Sequence, residues 1–149
     1  MRNEVTPFDE WCRDPANVPS GDPVWRLPAY QLAMYCSEIA WQDVSALARR
    51  PVTAPLAPQL YRALGSIGAN LSEGYSRSSG RDRVRLYEYS LGSARESVVW
   101  YHLARPLLAE DVVRHRTETL QRIVRMSLIA IPRERHLNLG RDPIDRNRP

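Results

Sequence analysis

The residues best suited to chemistry are concentrated in one stretch, GANLSEGYSRSSGRDRVRLYEYSLGS, which spans residues 68–93. It holds four arginines and three tyrosines around a turn rich in glycine and serine. Guanidinium groups fork onto phosphates and aromatic rings stack on bases, which is the chemistry of single-stranded or structured RNA recognition. The composition fits three interpretations: a catalytic loop, a nucleic-acid contact, or only the corner between two helices.

Arginine spacing places several positive charges on one predicted helix face. Arg81, Arg85 and Tyr89 fall at i, i+4 and i+8, on the side away from the apolar stripe of their helix. We expect nucleic acid, RNA rather than DNA, to contact Arg77, Arg81, Arg85, Tyr89, Arg114, Arg116, Arg122 and Arg125. Helix charges are also often solvated and paired at i and i+4, as the spacing of Glu118 from Arg114 and Arg122 allows. The sequence leaves nucleic-acid binding and a solvated face open.

Composition and motif spacing exclude several catalytic chemistries. All 21 residues counted as Lys or Arg are arginines, so there is no phosphate-loop lysine, Schiff base or Ser-Lys pair. Residues 74–78 lack the final glycine of a nucleophile elbow. The three histidines form no HExxH or ExxH motif, and His102 is predicted to be a buried core imidazole. We expect no catalytic residue, metal ligand or cofactor; an enzyme with its site in the helical core is a third alternative.

Charge divides the chain into an acidic N-terminal part and a basic body. Residues 1–48 hold three arginines against seven acids, a net charge of −4. Residues 49–149 hold eighteen arginines against ten acids, a net charge of +8. This asymmetry favours either a polyanionic partner or an acidic N-terminal segment that folds over the protein's own basic surface.

Cysteine use and hydropathy bear on the compartment. Cys12 and Cys36 are far apart and form no CxxC motif, so neither a disulfide framework nor a zinc site is indicated. No apolar run reaches the roughly 18 to 20 residues that a membrane span needs, and the first thirty residues lack the apolar stretch of a signal peptide. We expect a cytoplasmic protein with no membrane partner.

Prolines mark where helices can run, because a helix interior tolerates them poorly. The proline-free windows are 29–50, 59–105 and 107–131, and the turn-forming residues 74–80 split the second window in two. Pro106 is expected to end or kink the third helix. The sequence therefore predicts an all-α fold, an up-and-down antiparallel four-helix bundle with flexible N- and C-terminal arms.

This division of the chain gives three expected parts. An acidic, proline-rich arm occupies residues 1–26, the four-helix bundle residues 27–132, and a basic tail residues 133–149. We expect both arms to have little structure of their own. Residues 1–26 are called the leader below, and Trp11 and Trp25 are candidates for holding the leader against the bundle.

Apolar periodicity supports a helix in each of the four segments. The stripe of the first is Tyr30, Met34, Ser37, Trp41, Val44 and Ala48. The second has Leu56, Leu60, Leu64, Ile67 and Leu71. The third has Val84, Tyr87, Leu91, Ala94, Val98 and Tyr101. The fourth has Val113, Thr117, Leu120, Val124, Ser127 and Ile131.

The third helix carries a second apolar face, well over a quarter-turn from the first. One helix cannot bury two such faces inside one bundle, so we expect a homo-oligomer. The predicted interface residues are Glu96, Trp100, Leu103 and Leu107. A wide core face with a scattered exposed tryptophan is the alternative.

The turn between the second and third helices is predicted to be a structural corner formed by four residues. Asn70 and Glu73 are expected to form hydrogen bonds within or beneath it. Gly74 belongs to a flank of small residues that lets a neighbouring helix approach closely. Ser79, with Asp82 three residues later, forms a capping box for the third helix.

Two blocks of this region carry a family resemblance. The run SIGANLSEGYSR at residues 66–77, followed by YSLGSARE at 89–96, resembles the four-helix-bundle family linked to intervening sequences in bacterial 23S ribosomal RNA genes. Val24 and Trp25 are similar to that family's opening, and the resemblance covers about residues 24–131. Gly68 stands where the family usually has proline, and the family's usual lysines are arginines here.

The resemblance implies a non-enzymatic, ring-like homo-oligomer, typically a pentamer, with a basic surface. The accessory protein of diversity-generating retroelements is similar to this family, and its bundle binds a reverse transcriptase and RNA. We therefore expect an accessory or scaffold protein that binds structured RNA. The alternative is a protein-interaction module that docks a partner such as a reverse transcriptase on its basic face.

Overall fold

The computed structural model describes residues 5–139, with side chains as far as His136. This part of the chain is all-helical and contains no strand, which confirms the predicted fold class at that level. Its helices are α1 (Phe8–Trp11), α2 (Pro28–Ala48), α3 (Leu56–Tyr75), α4 (Gly80–Leu103) and α5 (Glu110–Leu139), with a short 3-10 turn at Pro23–Arg26 before α2. None of the described helices is long and apolar enough to cross a membrane.

The helix ends follow local chemistry. Pro28 is the first residue of α2, where its missing N–H costs nothing. The Ser79 hydroxyl accepts a hydrogen bond from the backbone N–H of Asp82 at the start of α4, as predicted. The helix α4 ends at Leu103, before Pro106, and two acids, Glu110 and Asp111, begin α5.

The last helix is longer than predicted, because Pro132 does not end it. Pro132 lies within α5, which continues to Leu139. Two ion pairs hold the segment beyond it against α4: Glu134 with Arg83 at 3.0 Å, and Arg135 with Glu88. The expected basic tail therefore begins as helix at 133–139, and residues 140–149 lie outside the described part.

The four long helices form a helical bundle in which each contacts two others. The helix α2 packs on α3 and α5, and α4 packs on the same two helices. The predicted stripes of α3 and α4 face this core. Its largest fully buried apolar side chains are Tyr35, Tyr101, Leu32, Leu47, Leu60, Leu64, Ile67, Leu120 and Ile123.

The predicted core stripe of the first helix is wrong by about one position. Trp41, which belongs to that stripe, is 61% exposed, while Ala40 beside it is fully buried. The buried face of α2 consists mainly of small and medium side chains: Ala29, Leu32, Ala33, Cys36, Ala40, Val44 and Leu47. Small residues on this face let α3 and α5 approach closely, whereas Trp41 lies at the outer edge of the α2–α3 contact, against Tyr61.

The described part of the leader is docked on the bundle, contrary to the expectation of a flexible arm. Trp11 is 4% exposed and its Nε1 donates a hydrogen bond to Glu38 Oε2 at 2.9 Å. The Tyr35 hydroxyl donates to the Thr6 carbonyl oxygen at 2.8 Å. Trp25 packs edge-on against Tyr30. Both candidate tryptophans thus contact α2, as expected, and aromatic burial by Trp11 and Tyr35 stabilises the docked leader.

Candidate nucleic-acid interface

The corner between α3 and α4 is built on a close helix approach at Gly74. A Cβ atom at this position would lie 2.8 Å from a ring carbon of the buried Tyr87. Farther along the same pair of helices, the buried Ser90 hydroxyl donates to the Ile67 carbonyl oxygen at 3.0 Å. Glycine at position 74 thus brings the start of α4, with its arginines, against the end of α3.

Two predicted corner residues have local partners. The Asn70 side chain donates to the Ser66 carbonyl oxygen at 2.8 Å, within its own helix. Glu73 is exposed and forms an ion pair with Arg77, one turn later. Glu73 therefore orders the chain at the corner from outside, and it partly neutralises Arg77.

The arginines at the start of α4 lie on its solvent-facing side. Arg77, Arg81 and Arg85 are exposed, and Tyr89 is 55% exposed. Arg85 lies 3.7 Å from an Asp82 carboxylate oxygen, a long contact between exposed groups. Among the described residues, no carboxylate lies within 4.0 Å of Arg81. This face presents positive charge next to an exposed ring, as the sequence predicted.

Three of the four predicted arginines of α5 are exposed as well. Arg114 and Arg125 have no carboxylate within 4.0 Å among the described residues. The Arg122 guanidinium lies over the Phe8 ring of the leader, 5.2 Å from the ring centre. This cation–π contact places the leader at the edge of the α5 arginines.

The prediction for Arg116 is wrong, because this side chain is buried in the bundle. Its Nε donates to Asp43 Oδ2 at 2.8 Å, and the two side chains are 5% and 7% exposed. The Tyr101 hydroxyl donates to the same oxygen at 2.9 Å. Burial lowers the pKa of Arg116, but the hydrogen bond and charge of Asp43 outweigh it and the pKa is raised. Arg116 is a structural cation that no bound nucleic acid can reach.

This buried network extends to the surface through one histidine. An Arg116 guanidinium nitrogen, Nη1, lies 2.9 Å from His115 Nδ1. Arginine has no acceptor, so Nδ1 must be the unprotonated nitrogen and the imidazole must be neutral. Burial, with the positive charge of Arg116 second, lowers the pKa of His115.

The structure adds basic residues that the sequence interpretation omitted. Arg95 of α4 and Arg125 of α5 line one shallow groove between these helices. His102 is exposed, not buried as predicted, and it lines a second cleft with Arg105 and Arg114. Helical spacing of His102 and Arg95 from the exposed Arg81 could have revealed them, since all three lie on the polar side of α4.

The predicted oligomer face is only partly open. Trp100 and Leu107 are half-buried and pack against the core, whereas Leu103 is 52% exposed. The Trp100 Nε1 donates to Glu96 Oε1 at 3.0 Å, and Glu96 lies 3.7 Å from Arg62 of α3. The open part of this face is thus a rim around Leu103.

Two findings concern other chemistries. Within the described residues, no group of three or more His, Cys, Asp or Glu side chains is arranged to hold a metal ion. Burial raises the pKa of the Cys36 thiol to about 12, so this thiol is a poor nucleophile near neutral pH.

Comparison with known proteins agrees with the sequence blocks at the corner. The sequence model of the family described as 23S rRNA-intervening sequence protein matches residues 26–128, more than half of the chain. The resemblance in about residues 24–131 is thereby confirmed. No curated protein and no solved structure matches the chain. On this match, the chain belongs to the family of 23S rRNA-intervening sequence proteins.

Proposed function

We propose that this protein is a non-enzymatic, oligomeric scaffold that binds structured RNA through the exposed arginines of α4 and α5. The observation that carries the proposal is the set of exposed arginines without a carboxylate partner among the described residues: Arg81, Arg95, Arg105, Arg114 and Arg125. Arginines that serve only solubility are commonly paired at i and i+4. Unpaired arginines on two adjacent helices are available to phosphates.

The arrangement of the basic surface favours a nucleic acid of some length. Its arginines run from Arg81, at the start of α4, to Arg105, just after its end. Twenty-four residues of helix rise about 36 Å, which is longer than a compact small-molecule site. The family name also refers to ribosomal RNA.

We propose that the helical bundle that carries this basic surface has up-and-down antiparallel topology. Support comes from contacts between opposite helix ends: Gly74, at the end of α3, meets Tyr87, near the start of α4. Arg83, near the start of α4, meets Glu134, near the end of α5. In support of one basic surface, Arg95 of α4 and Arg125 of α5 line the same groove, and Arg105 and Arg114 line the same cleft.

We propose further that the protein is cytoplasmic and assembles as a homo-oligomer, with a pentamer as the expected form. The free thiols of Cys12 and Cys36 suit a reducing compartment. The exposed Leu103, with Val99 at 54% exposure beside it, provides an apolar surface for contact between subunits.

Size-exclusion chromatography with light scattering tests both parts of the proposal. The protein is measured with and without nuclease treatment, and the absorbance ratio at 260 and 280 nm is recorded across the peak. We expect an oligomer that carries nucleic acid until treated and then rebinds RNA in a salt-dependent way. A monomer that is free of nucleic acid before treatment would contradict the proposal.

A protein partner is the second candidate, favoured by an exposed aromatic pair. Trp41 and Tyr61 are 61% and 45% exposed, and their ring centres lie 5.7 Å apart at the outer edge of the α2–α3 contact. Exposed aromatic residues of this kind are typical anchors of protein interfaces. The relation to retroelement accessory proteins suggests a reverse transcriptase as such a partner. Capture of the partner by a wild type that binds no RNA, together with loss of that capture in Trp41→Ala, would support this candidate over the first.

A further inference from the structure

A cleft of about 700 Å³ opens where α4 ends and α5 begins. This volume lies in the range of small-molecule sites. One part of its wall is apolar, formed by Pro106, Leu108 and Val113. The other part is polar, formed by His102, Arg105, Glu110, Arg114 and Thr117.

Two arginines and one histidine converge on this cleft from three places in the chain. His102 comes from the last turn of α4, Arg105 from the connection, and Arg114 from the second turn of α5. All three are exposed, and within the described part of the chain none has a carboxylate oxygen within 4.0 Å. Internal ion pairs therefore do not neutralise the charge of the two arginines in the cleft.

The remaining polar groups of the wall, Thr117 and Glu110, bear on whether the cleft favours an anion or a cation. The Thr117 hydroxyl already donates to the Val113 and Arg114 carbonyl oxygens, at 2.8 and 3.1 Å, so its proton is not free for a ligand. Glu110 is the one carboxylate among the residues that line the cleft, against two arginines, Arg105 and Arg114. The cleft thus carries an excess of donors and positive charge, which suits an anion.

We propose that this cleft binds the phosphate monoester of a nucleotide. A monoester carries about 1.5 to 2 negative charges near neutral pH and three acceptor oxygens, which matches three basic side chains. Arg105 and Arg114 would hold the phosphate, with His102 as a third donor, while the apolar wall covers the sugar or base. A backbone diester has one charge and continues in both directions, so it matches three convergent basic side chains less well than a terminal monoester does.

The nucleotide has two possible sources, a free mononucleotide or the phosphorylated end of an RNA strand. For the strand, the inference rests on the proposed RNA-binding function and deepens it by naming a phosphorylated end as the group selected. For the mononucleotide, it is independent of that function.

Calorimetric titration of the full chain with AMP and with adenosine tests the site directly. We expect AMP to bind at least about tenfold more tightly than adenosine, since the phosphate supplies the charge-assisted hydrogen bonds. Short RNAs with a 5′-phosphate or a 5′-hydroxyl then distinguish the sources: preference for the phosphate indicates a strand end, and no preference indicates a free nucleotide. Either result supports the cleft, provided that AMP binds.

Matched variants assign the binding to this cleft. Arg105→Gln with Arg114→Gln should weaken AMP binding at least about tenfold, whereas Glu110→Gln should strengthen it by removing a repulsive carboxylate. The control is Arg49→Gln with Arg50→Gln, which removes the same charge from the α2–α3 connection, outside both proposed binding sites, and should leave AMP affinity unchanged. Opposite effects at Glu110 and the arginines cannot arise from a general loss of folding.

Two outcomes overturn the inference. One is the absence of AMP binding to the folded wild-type chain. The other is AMP binding that changes in neither the arginine variant nor Glu110→Gln. Salt-dependent RNA binding that persists in these cases would leave the proposed function standing, so the two failures are distinguishable.

Discussion

At the scale of single residues, one pair of opposite charges, Asp43 and Arg116, is buried between α2 and α5. Asp43 lies on the buried face of α2 and Arg116 on that of α5. Each interrupts an apolar stripe, and two opposite charges on core-facing positions are a signal for pairing. Helical periodicity cannot say which of many helix faces meet, because that depends on contacts 73 residues apart. The burial of Arg116 was therefore missed.

The first prediction concerns this pair. Arg116→Met should lower the free energy of unfolding by about 3 to 5 kcal/mol, because it leaves the Asp43 carboxylate buried without its cation. Asp43→Leu combined with Arg116→Met should recover most of that loss. Urea denaturation followed by circular dichroism measures both. A single variant that costs less than about 1 kcal/mol would show that the pair has little structural importance.

The second prediction concerns pH and His115. Its neutral form is favoured in the folded protein, where burial holds its pKa below the ordinary value of 6.5. Stability is therefore full above pH 6.5 and falls as the pH drops through the lower pKa of the folded state.

The matched variant His115→Gln keeps an acceptor for Arg116 but does not titrate. Denaturation of both proteins between about pH 8 and about pH 5 should show wild type losing stability relative to the variant below about pH 6.5. Parallel curves for the two proteins would contradict the placement of an acceptor nitrogen at Arg116.

At the scale of elements, local sequence signals predicted the positions of the helices more accurately than they predicted which helix faces are buried. The four long helices, the Ser79 cap and the end of α4 were all predicted from proline, glycine and serine placement. The face of α2 was not, because its sequence has two apolar stripes and only packing selects the one rich in alanine. Trp41 is exposed for this reason. The continuation of α5 past Pro132 depends on ion pairs with α4, which no local pattern reveals.

The third prediction compares two glycines of α3. Gly74→Ala should lower the free energy of unfolding by about 1 to 3 kcal/mol, because the new methyl group meets the buried Tyr87 ring. Gly65→Ala is the control, since a Cβ there meets nothing within 4 Å. It should raise stability by about 0.5 to 1 kcal/mol through helix propensity. Thermal unfolding of both variants measures the difference, and equal shifts would refute a close helix approach at the corner.

At the scale of the whole molecule, charge is distributed asymmetrically along the chain. The body carries most of the arginines, and the leader contacts one of them, Arg122, through Phe8. The sequence predicted this asymmetry and six of the exposed arginines, Arg77, Arg81, Arg85, Arg114, Arg122 and Arg125, but it could not separate buried Arg116 from the surface set. The interpretation also omitted Arg95 and Arg105 and predicted His102 to be buried. The packing of α4 on α5 brings Arg95 to one groove with Arg125, and Arg105 and His102 to one cleft with Arg114.

The most direct measurement is the salt dependence of RNA affinity for wild type and two charge-reversed variants. Arg81→Glu with Arg85→Glu changes the proposed site; Arg49→Glu with Arg50→Glu makes the same charge change in the α2–α3 connection. We predict that the first variant binds RNA more weakly and that the slope of log K against log salt concentration falls by up to about 2. The second variant should retain the wild-type slope. Equal losses in both variants, or none in the first, would contradict RNA binding by the α4 face.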